Sequence, residues 1–253
     1  MAKRPLSPTQ QPESDRLAHQ QIVRWHIYPD ADSLYERAAR AVGRMSHEAT
    51  SQRGAFHVVL SGGNTPRPLY ERLSTLDAQW SAWHVYFGDE RCLPADHPER
   101  NSAMAFSAWL DRVPIPRGQI HPIPAERGPH AAARSYGELL WGVAQFDLVL
   151  LGLGEDGHTA SLFPGADWGV QPGAAATLAV EQAPKPPAQR VTLSAWRLGQ
   201  TREAMVLVCG AAKHEALVAW QTGKDLPVAA VRPESGVDAL LERTLTDIGL
   251  GVQ

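Results

Sequence analysis

The sequence predicts a layered α/β fold with a mainly parallel sheet, and three observations support this prediction. Short apolar segments typical of strands alternate with segments whose apolar residues recur at helical spacing. Residues 146–151 are almost entirely apolar, which is typical of a strand buried on both faces. No internal repeat and no long linker divides the chain, so we expect a single α/β domain over residues 21–253.

The composition argues against several classes of protein. The 253 residues are 43% apolar and 20% charged with a net charge of −3, so no overall field favours nucleic acid or an anionic membrane. No apolar run reaches membrane-spanning length. The two cysteines, Cys92 and Cys209, lack metal-ligand spacing and are expected to be free thiols in a reducing compartment.

The N-terminal segment is polar and rich in proline and glutamine. Residues 1–20 lack the apolar core of a signal peptide, so we expect a flexible tail on a cytoplasmic protein. The sequence does not give the oligomeric state, and a monomer is compatible with it.

The first half of the chain is expected to alternate between strands and helices. Residues 29–33 form a turn suited to capping the first helix, and Gly54 ends that helix. We expect strands at 21–28, 56–60, 84–87, 120–123 and 146–151, and helices at 34–53, 67–76, 101–110 and 129–143.

The second half begins with an irregular stretch that extends from Gly165 to Pro187. Strands are expected at 190–194 and 204–209, followed by a helix that Gly210 and Lys213 open and that ends near Gly223. Residues 226–231 are expected to be an edge segment, because Pro227 cannot donate to a ladder. A last helix is expected at 237–250.

The loop at residues 61–66 follows a predicted strand and has the features of a phosphate site. Gly62 and Gly63 allow the backbone to approach a ligand, and Pro66 suits the first turn of the next helix. Free amides at such a position bind phosphate. Further donors are the side chains of Ser61, Asn64 and Thr65. The alternative is a tight strand–helix turn with no ligand.

A second polar loop, Gly88-Asp89-Glu90-Arg91, follows the next predicted strand. Alone, this cluster is typical of a solvated surface. Strand-end loops of a parallel sheet share one edge, however, so we expect Asp89 and Arg91 to lie near the first loop.

The third loop, at residues 152–165, has a GxGxxG pattern that is also typical of dinucleotide binding. That reading is rejected, because Pro164 and Gly165 stop the helix that a dinucleotide site requires. His158 and Asp156 lie among the glycines, and histidine titrates near neutrality, so a catalytic histidine is favoured over a structural one. No His or Cys partner lies at zinc-ligand spacing.

These segments together resemble the 6-phosphogluconolactonase family of the pentose phosphate pathway. The matching segments, in the family's order, are 61–66, 89–91 with Pro94, His97 and Asn101, 152–165, 186–187 with 190–194, and Lys213. They span residues from about 56 to 231, and the block from Asp156 to Gly165 is the most specific. Asn64 departs from the Ser or Thr usual in the family, and no clear match follows residue 232.

The resemblance implies hydrolysis of 6-phospho-D-glucono-1,5-lactone, with a small sugar-phosphate lactone as the ligand and no metal or organic cofactor. It also implies a Rossmann-like three-layer fold with helices on both faces of the sheet, as in glucosamine-6-phosphate deaminase and ribose-5-phosphate isomerase. We expect His158 to act as general base on water, with Asp156 orienting it or holding a sugar hydroxyl. Arg91 or a backbone amide of the glycine loops is expected to stabilise the oxyanion. The expected substrate and phosphate contacts are Ser61, Gly62, Gly63, Asn64, Thr65, Asp89, Asn101, Arg190 and Lys213.

Two alternative functions are weighed against lactone hydrolysis. A glucosamine-6-phosphate deaminase-like isomerase is expected to carry a glutamate five residues beyond its histidine, where this chain has Phe163. A non-catalytic sugar-phosphate sensor is disfavoured by the presence of both Asp156 and His158. No DNA-binding motif or basic stripe supports a regulator.

Overall fold

The computed structural model describes residues 21–247 and centres on a seven-stranded sheet in which every pairing is parallel. Its strands are β1 (Val23–Tyr28), β2 (Phe56–Leu60), β3 (Trp83–Phe87), β5 (Ile120–His121), β6 (Phe146–Gly152), β9 (Thr201–Val208) and β10 (Val237–Glu242). Their spatial order is β1-β10-β9-β6-β2-β3-β5.

A second, antiparallel sheet has three strands in the order β4-β8-β7. These are β4 (Asp89–Arg91), β7 (Thr177–Val180) and β8 (Arg190–Leu193). Only Gly88 separates β4 from the end of β3, so the small sheet continues directly from the edge of the large one where the strands end.

The helices that connect the strands pack on both faces of the large sheet. They are α1 (Ala31–Arg53), α2 (Arg67–Leu73), α3 (Asn101–Ala105, continuing as a π-helix over Phe106–Leu110), α4 (Pro129–Leu140), α5 (Ala195–Gly199), α6 (His214–Gln221), α7 (Pro227–Ala230) and α8 (Thr244–Asp247).

Side chains alternate between faces along a strand. Trp83 on one face of β3 packs against Trp109, and Tyr86 on the other packs with Phe146, which lies under Arg197 of α5. No described helix is both long and apolar enough to cross a membrane.

The predicted α/β fold is confirmed, and so are the ends of the first helix. Asp30 caps α1 by accepting a hydrogen bond from the Ser33 amide at 2.7 Å. Gly54 ends α1 in the left-handed region at φ 79°, where glycine is favoured, and its amide donates to Thr50 O. The predicted tail at 1–20, and the last residues of the helix predicted at 237–250, lie outside the described residues.

Four predictions about the course of the chain are wrong. Residues 237–242 form a strand, because β10 inserts between β1 and β9 and is buried on both faces, which removes the polar alternation that marks most strands. Residues 227–230 form a short helix with Pro227 in its first turn rather than an edge segment. Residues 89–91 and 177–180 are strands of the small sheet, although we expected a loop and irregular chain.

The strand order places a topological switch point between β2 and β6. The chain moves outward from β2 to β3 and β5, and then returns to the other side of β2 to form β6 and, beyond it, β9. In open α/β sheets, ligands bind at the carboxyl ends of the strands beside such a point. The loops after β2 and β6 flank it.

Three histidines and a tyrosine form a stack across β2, β3 and β5. The rings of His57 and His84 lie 4.7 Å apart, those of His84 and His121 lie 5.9 Å apart, and His57 Nδ1 is 3.2 Å from the Tyr86 hydroxyl. Burial lowers the pKa of all three histidines, and repulsion between neighbouring rings lowers the pKa of His57 and His121 further. Asp147 opposes this shift at His57.

This stack predicts a loss of stability in mild acid. Below the unfolded-state pKa of about 6.5, unfolded histidines bind protons that the folded rings resist, so the free energy of unfolding falls as the pH drops. We expect the fall in Tm between pH 7.5 and 5.5 to be smaller by a few degrees in His84→Gln than in the parent. The exposed His47 on α1 provides the control His47→Gln. Equal pH dependence in all three proteins contradicts the prediction.

Candidate active site

A cavity of about 350 Å³ lies at the switch point and brings the predicted residues together. Every residue predicted for the site lines it except Asp156, which lies behind His158. The predicted residues in its wall are Ser61, Gly62, Gly63, Asn64, Thr65, Asp89, Arg91, Asn101, His158, Arg190 and Lys213. Thus loops that lie up to about 150 residues apart in the sequence line one cavity.

The loop after β2, residues 61–66, is called the anion loop below. Its first residue is held by Tyr70 of α2, whose hydroxyl donates to Ser61 O at 2.7 Å and accepts from the Ser61 amide at 2.9 Å. Gly63 has φ 84°, a conformation that favours glycine. Within the described part of the chain, the amides of residues 62–65 donate no hydrogen bond to protein. They are therefore available to a ligand.

The loop after β6, residues 153–165, is called the histidine loop. His158 Nδ1 is hydrogen-bonded to Asp156 Oδ1, and the His158 side chain is about one-fifth exposed. The ring lies over Gly154, where a Cβ would overlap Nδ1 and stand 2.7 Å from the Asp156 carboxylate. The glycine at 154 therefore has a steric cause: it leaves space for the histidine–aspartate pair.

The Asp156 carboxylate is held in its charged form. Burial raises the pKa of Asp156, but the hydrogen bond and charge of His158, and the more distant Lys185, outweigh it and leave the pKa below its ordinary value. A charged Asp156 favours the tautomer in which Nδ1 carries the proton. Nε2 is then the basic nitrogen, and it has no protein partner among the described residues.

The histidine loop is fixed by a tight turn after His158. Thr159 and Leu162 pair across the turn, with the Leu162 amide donating to Thr159 O at 2.9 Å. Ala160 in the turn has φ 47°, which is uncommon for a residue with a side chain and marks local strain. The Thr159 hydroxyl donates to Gly152 O at 2.8 Å and joins the turn to the end of β6.

Two arginines lie directly opposite one another on neighbouring strands of the small sheet. Arg91 of β4 pairs directly with Arg190 of β8, and both line the cavity. Like charges at directly opposite positions destabilise a sheet, so a bound anion between them is the arrangement that this pairing favours. The pKa of the Arg190 guanidinium is lowered by burial and by the charge of Arg91, and the nearby Asp89 only partly opposes this shift.

Arg190 is held by backbone acceptors and by an aromatic ring. Its Nε donates to Pro187 O at 3.1 Å, and its Nη2 donates to Lys185 O at 3.0 Å. The guanidinium carbon lies 5.6 Å from the centre of the Phe163 ring, and that ring is 5.0 Å from His158. Phe163, which stands where a deaminase-like chain is expected to carry glutamate, therefore packs against both the candidate base and the arginine.

Glu90 has a structural position between two cavity residues. It is fully buried and accepts from the amides of Asn101 at 2.7 Å, Ser102 at 2.9 Å and Arg91 at 2.9 Å. Its carboxylate also lies 3.4 Å from Arg100 Nε. Glu90 thus caps the N-terminus of α3 and does not line the cavity, although it follows Asp89 directly.

Lys213 lines the cavity beside the histidine loop. It lies in the helical turn before α6, and its Nζ is 3.5 Å from Glu155 Oε1 in the histidine loop. The Lys213 side chain is one-fifth exposed, so the ammonium stands between the cavity and solvent.

Several further residues of the wall lie outside the set of side chains and glycines predicted from the sequence. Gly152, Leu153, Gly154, Thr159 and Ala160 also line the cavity. The GxGxxG spacing indicates that position 154 needs a glycine. Nothing in the sequence marks Ala160, because its left-handed conformation follows from the turn and not from its side chain. Among the described residues, no group of three or more His, Cys, Asp or Glu side chains is arranged to hold a metal.

Comparison with known proteins assigns the chain to a family. Residues 29–240 match the family described as glucosamine-6-phosphate isomerases/6-phosphogluconolactonase. The chain belongs to this family. The match extends past residue 231, where the resemblance in sequence motifs ended.

Proteins of known name or structure resemble most of the chain. A 6-phosphogluconolactonase from Synechocystis sp. is 39% identical over 218 residues, which is 81% of this chain and 83% of the relative. The crystal structure of 6-phosphogluconolactonase from Thermotoga maritima covers 87% of this chain and 100% of its own, at 25% identity and a TM-score of 0.80. A monomeric glucosamine-6-phosphate deaminase is only 19% identical and shares the fold, with a TM-score of 0.78.

Proposed function

We propose that this chain hydrolyses 6-phospho-D-glucono-1,5-lactone to 6-phospho-D-gluconate in the cavity at the switch point, with His158 as the general base. Hydrolysis of this lactone is the activity for which its relatives are named. The single observation that carries the mechanism is the His158–Asp156 pair facing an anion loop whose amides are free among the described residues.

In this mechanism His158 Nε2 removes a proton from a water molecule, which attacks the lactone carbonyl carbon. The charge that develops on the carbonyl oxygen is stabilised by Arg91 or by a backbone amide of the loop after β6, both of which line the cavity. The ring C–O bond then breaks, and the His158 imidazolium returns its proton to the departing ring oxygen. Asp156 keeps Nδ1 protonated and holds the ring in place.

In this proposal the phosphate group is bound by cations and amides of the cavity wall. The amides of Gly62 and Gly63, the Thr65 side chain, Arg190 and Lys213 are the groups available to it. Charge-assisted hydrogen bonds to phosphate oxygens are stronger than neutral ones, so these groups can hold the substrate while its carbonyl reaches His158. Asn101 and Asp89 lie on the wall beside the anion loop.

The isomerase alternative lacks the acid that its chemistry needs at position 163. Phe163 is only 4% exposed and packs on His158, so no carboxylate occupies that side of the imidazole. The sensor alternative predicts binding without turnover, and one experiment separates the three.

The experiment follows 6-phosphogluconate formation after addition of the protein to freshly prepared 6-phosphogluconolactone, against the spontaneous rate. We expect acceleration that is proportional to protein concentration. The same protein is incubated with glucosamine 6-phosphate, from which we expect no ammonia. Lactone opening at the spontaneous rate contradicts the proposed function, and binding of 6-phosphogluconate without acceleration supports a sensor.

The proposed phosphate site predicts a change in KM when Lys213 is replaced. Lys213→Ala removes a cation that binds the phosphate in ground state and transition state alike, so KM should rise about 10- to 100-fold with little change in kcat. Lys224→Ala, at an exposed lysine outside this cavity, is the control and should change neither constant. A large fall in kcat at constant KM contradicts the assignment.

A further inference from the structure

Asp89 is buried among the polar groups of the cavity wall, and both of its carboxylate oxygens are hydrogen-bonded to protein. It is 5% exposed, and each carboxylate oxygen already accepts a hydrogen bond from protein. Asn101 Nδ2 donates to Oδ1 at 2.9 Å, and the Ser161 hydroxyl donates to Oδ2 at 2.5 Å. The same Asn101 amide also donates to the backbone carbonyl of Asp89 at 2.9 Å.

The partners of Asp89 lead to two different loops. The Asn101 side chain, 3% exposed, lies against Gly62 of the anion loop so closely that a Cβ on Gly62 would overlap the Asn101 amide. Ser161, 1% exposed, lies three residues after His158 in the histidine loop. Asp89 thus reaches the anion loop indirectly, through Asn101 packed on Gly62, and the histidine loop directly, through the Ser161 hydroxyl.

The two loops are otherwise joined by few polar contacts. In the part of the chain that the structure describes, no hydrogen bond runs directly from residues 61–66 to residues 153–165. Their parent strands, β2 and β6, are neighbours, but only Val58–Leu148 and Val59–Val149 pair, and neither pair involves a loop residue. Asp89 therefore joins the two loops through two side chains: Asn101, which packs against Gly62, and Ser161, which donates to the carboxylate.

We propose that Asp89 is a positioning residue that fixes the distance between the phosphate-binding amides and His158, an inference that rests on the proposed function. A sugar phosphate has one fixed span from phosphate to lactone carbonyl. With the anion loop and the histidine loop tied to one carboxylate, a substrate held by its phosphate presents its carbonyl to the base without reorganisation. Misplacement by about 1 Å is enough to lower a rate by roughly 100-fold.

A double-mutant cycle tests whether Asn101 and Ser161 act through Asp89 as one link between the two loops. Ser161→Ala cuts the link at the histidine loop, and Asn101→Ala cuts it at the anion loop. We expect each to lower kcat for the lactone about 10- to 100-fold, and the double variant to lose no more than about threefold beyond the larger single loss. Losses that multiply, or a Ser161→Ala enzyme with the parent kcat, overturn the proposal.

Ser102→Ala is the matched control, because Ser102 is also a buried serine that donates to a buried carboxylate, at 2.7 Å to Glu90. It reaches neither loop, so kcat per folded molecule should stay within about threefold of the parent. An equal loss in Ser102→Ala and Ser161→Ala would assign the effect to general destabilisation and overturn the proposal.

A second readout does not need turnover, so it separates this proposal from the lactone assay. Inorganic phosphate is added to the full chain, and amide hydrogen exchange of residues 61–66 and 153–165 is followed by mass spectrometry. We expect phosphate to protect both loops in the parent and in Ser102→Ala, and to protect only residues 61–66 in Ser161→Ala. Protection of both loops in Ser161→Ala, or of neither in the parent, overturns the link through Asp89. Absence of lactone hydrolysis with this pattern intact overturns only the proposed function.

Discussion

Replacement of His158 by alanine is expected to lower kcat for 6-phosphogluconolactone by about 10²- to 10⁴-fold, the usual contribution of a general base. KM should change little, because the groups that are proposed to bind the phosphate are unchanged in this variant. The measurement is the initial rate of lactone hydrolysis, corrected for spontaneous opening and for the folded fraction of the variant.

The control for His158→Ala is His130→Ala. His130 is exposed on α4, pairs with Glu181 at 3.2 Å and lies outside the cavity, so its loss should leave both constants unchanged. If His158→Ala retains a kcat within a few-fold of the parent, His158 is not the base, and the catalytic role returns to the remaining groups of the wall.

The second large effect is expected from Gly154→Ala, a substitution that adds one methyl group. That methyl would overlap His158 Nδ1 and press on Asp156, so the histidine–aspartate pair must move. We expect kcat to fall about 100-fold, with a fold that stays intact, because the displaced atoms belong to a partly exposed side chain. The rate assay is paired with a thermal melt.

Gly118→Ala is the steric control for this variant. A Cβ at Gly118 meets no atom within 4 Å, and neither glycine has a left-handed φ, so backbone strain does not distinguish the two substitutions. A Gly154→Ala enzyme with the parent kcat would mean that His158 can leave its observed position without loss of function.

The sequence predicts those strands and helix ends whose local residue pattern matches the environment that the rest of the fold provides. The buried strand at 146–152 and the cap and stop of α1 depend on apolar runs, on Asp30 and on Gly54. Convergence of the loops follows from one geometric rule, that parallel strands end at the same edge. The proposed roles of the site residues remain predictions until they are measured.

Other features depend on contacts between distant segments. The strand at 237–242 is buried by β1 and β9, and 237–242 alone has no alternation to reveal it. Nor can local pattern show that Arg91 pairs with Arg190, or that Glu90 caps α3 while its neighbour Asp89 joins two loops. Each of these features exists only once segments that are distant in the sequence have come together.

The position of β1 at the edge of the large sheet has a consequence for how the protein is made. β1 is the first strand of the described chain, yet it hydrogen-bonds with β10, the last, which in turn pairs with β9. As the ribosome releases the chain from its N-terminus, residues 23–28 emerge long before residues 237–242 exist. The first strand can therefore join the sheet only after residues 237–242 have been synthesised, and residues 23–28 lack their strand partner until then.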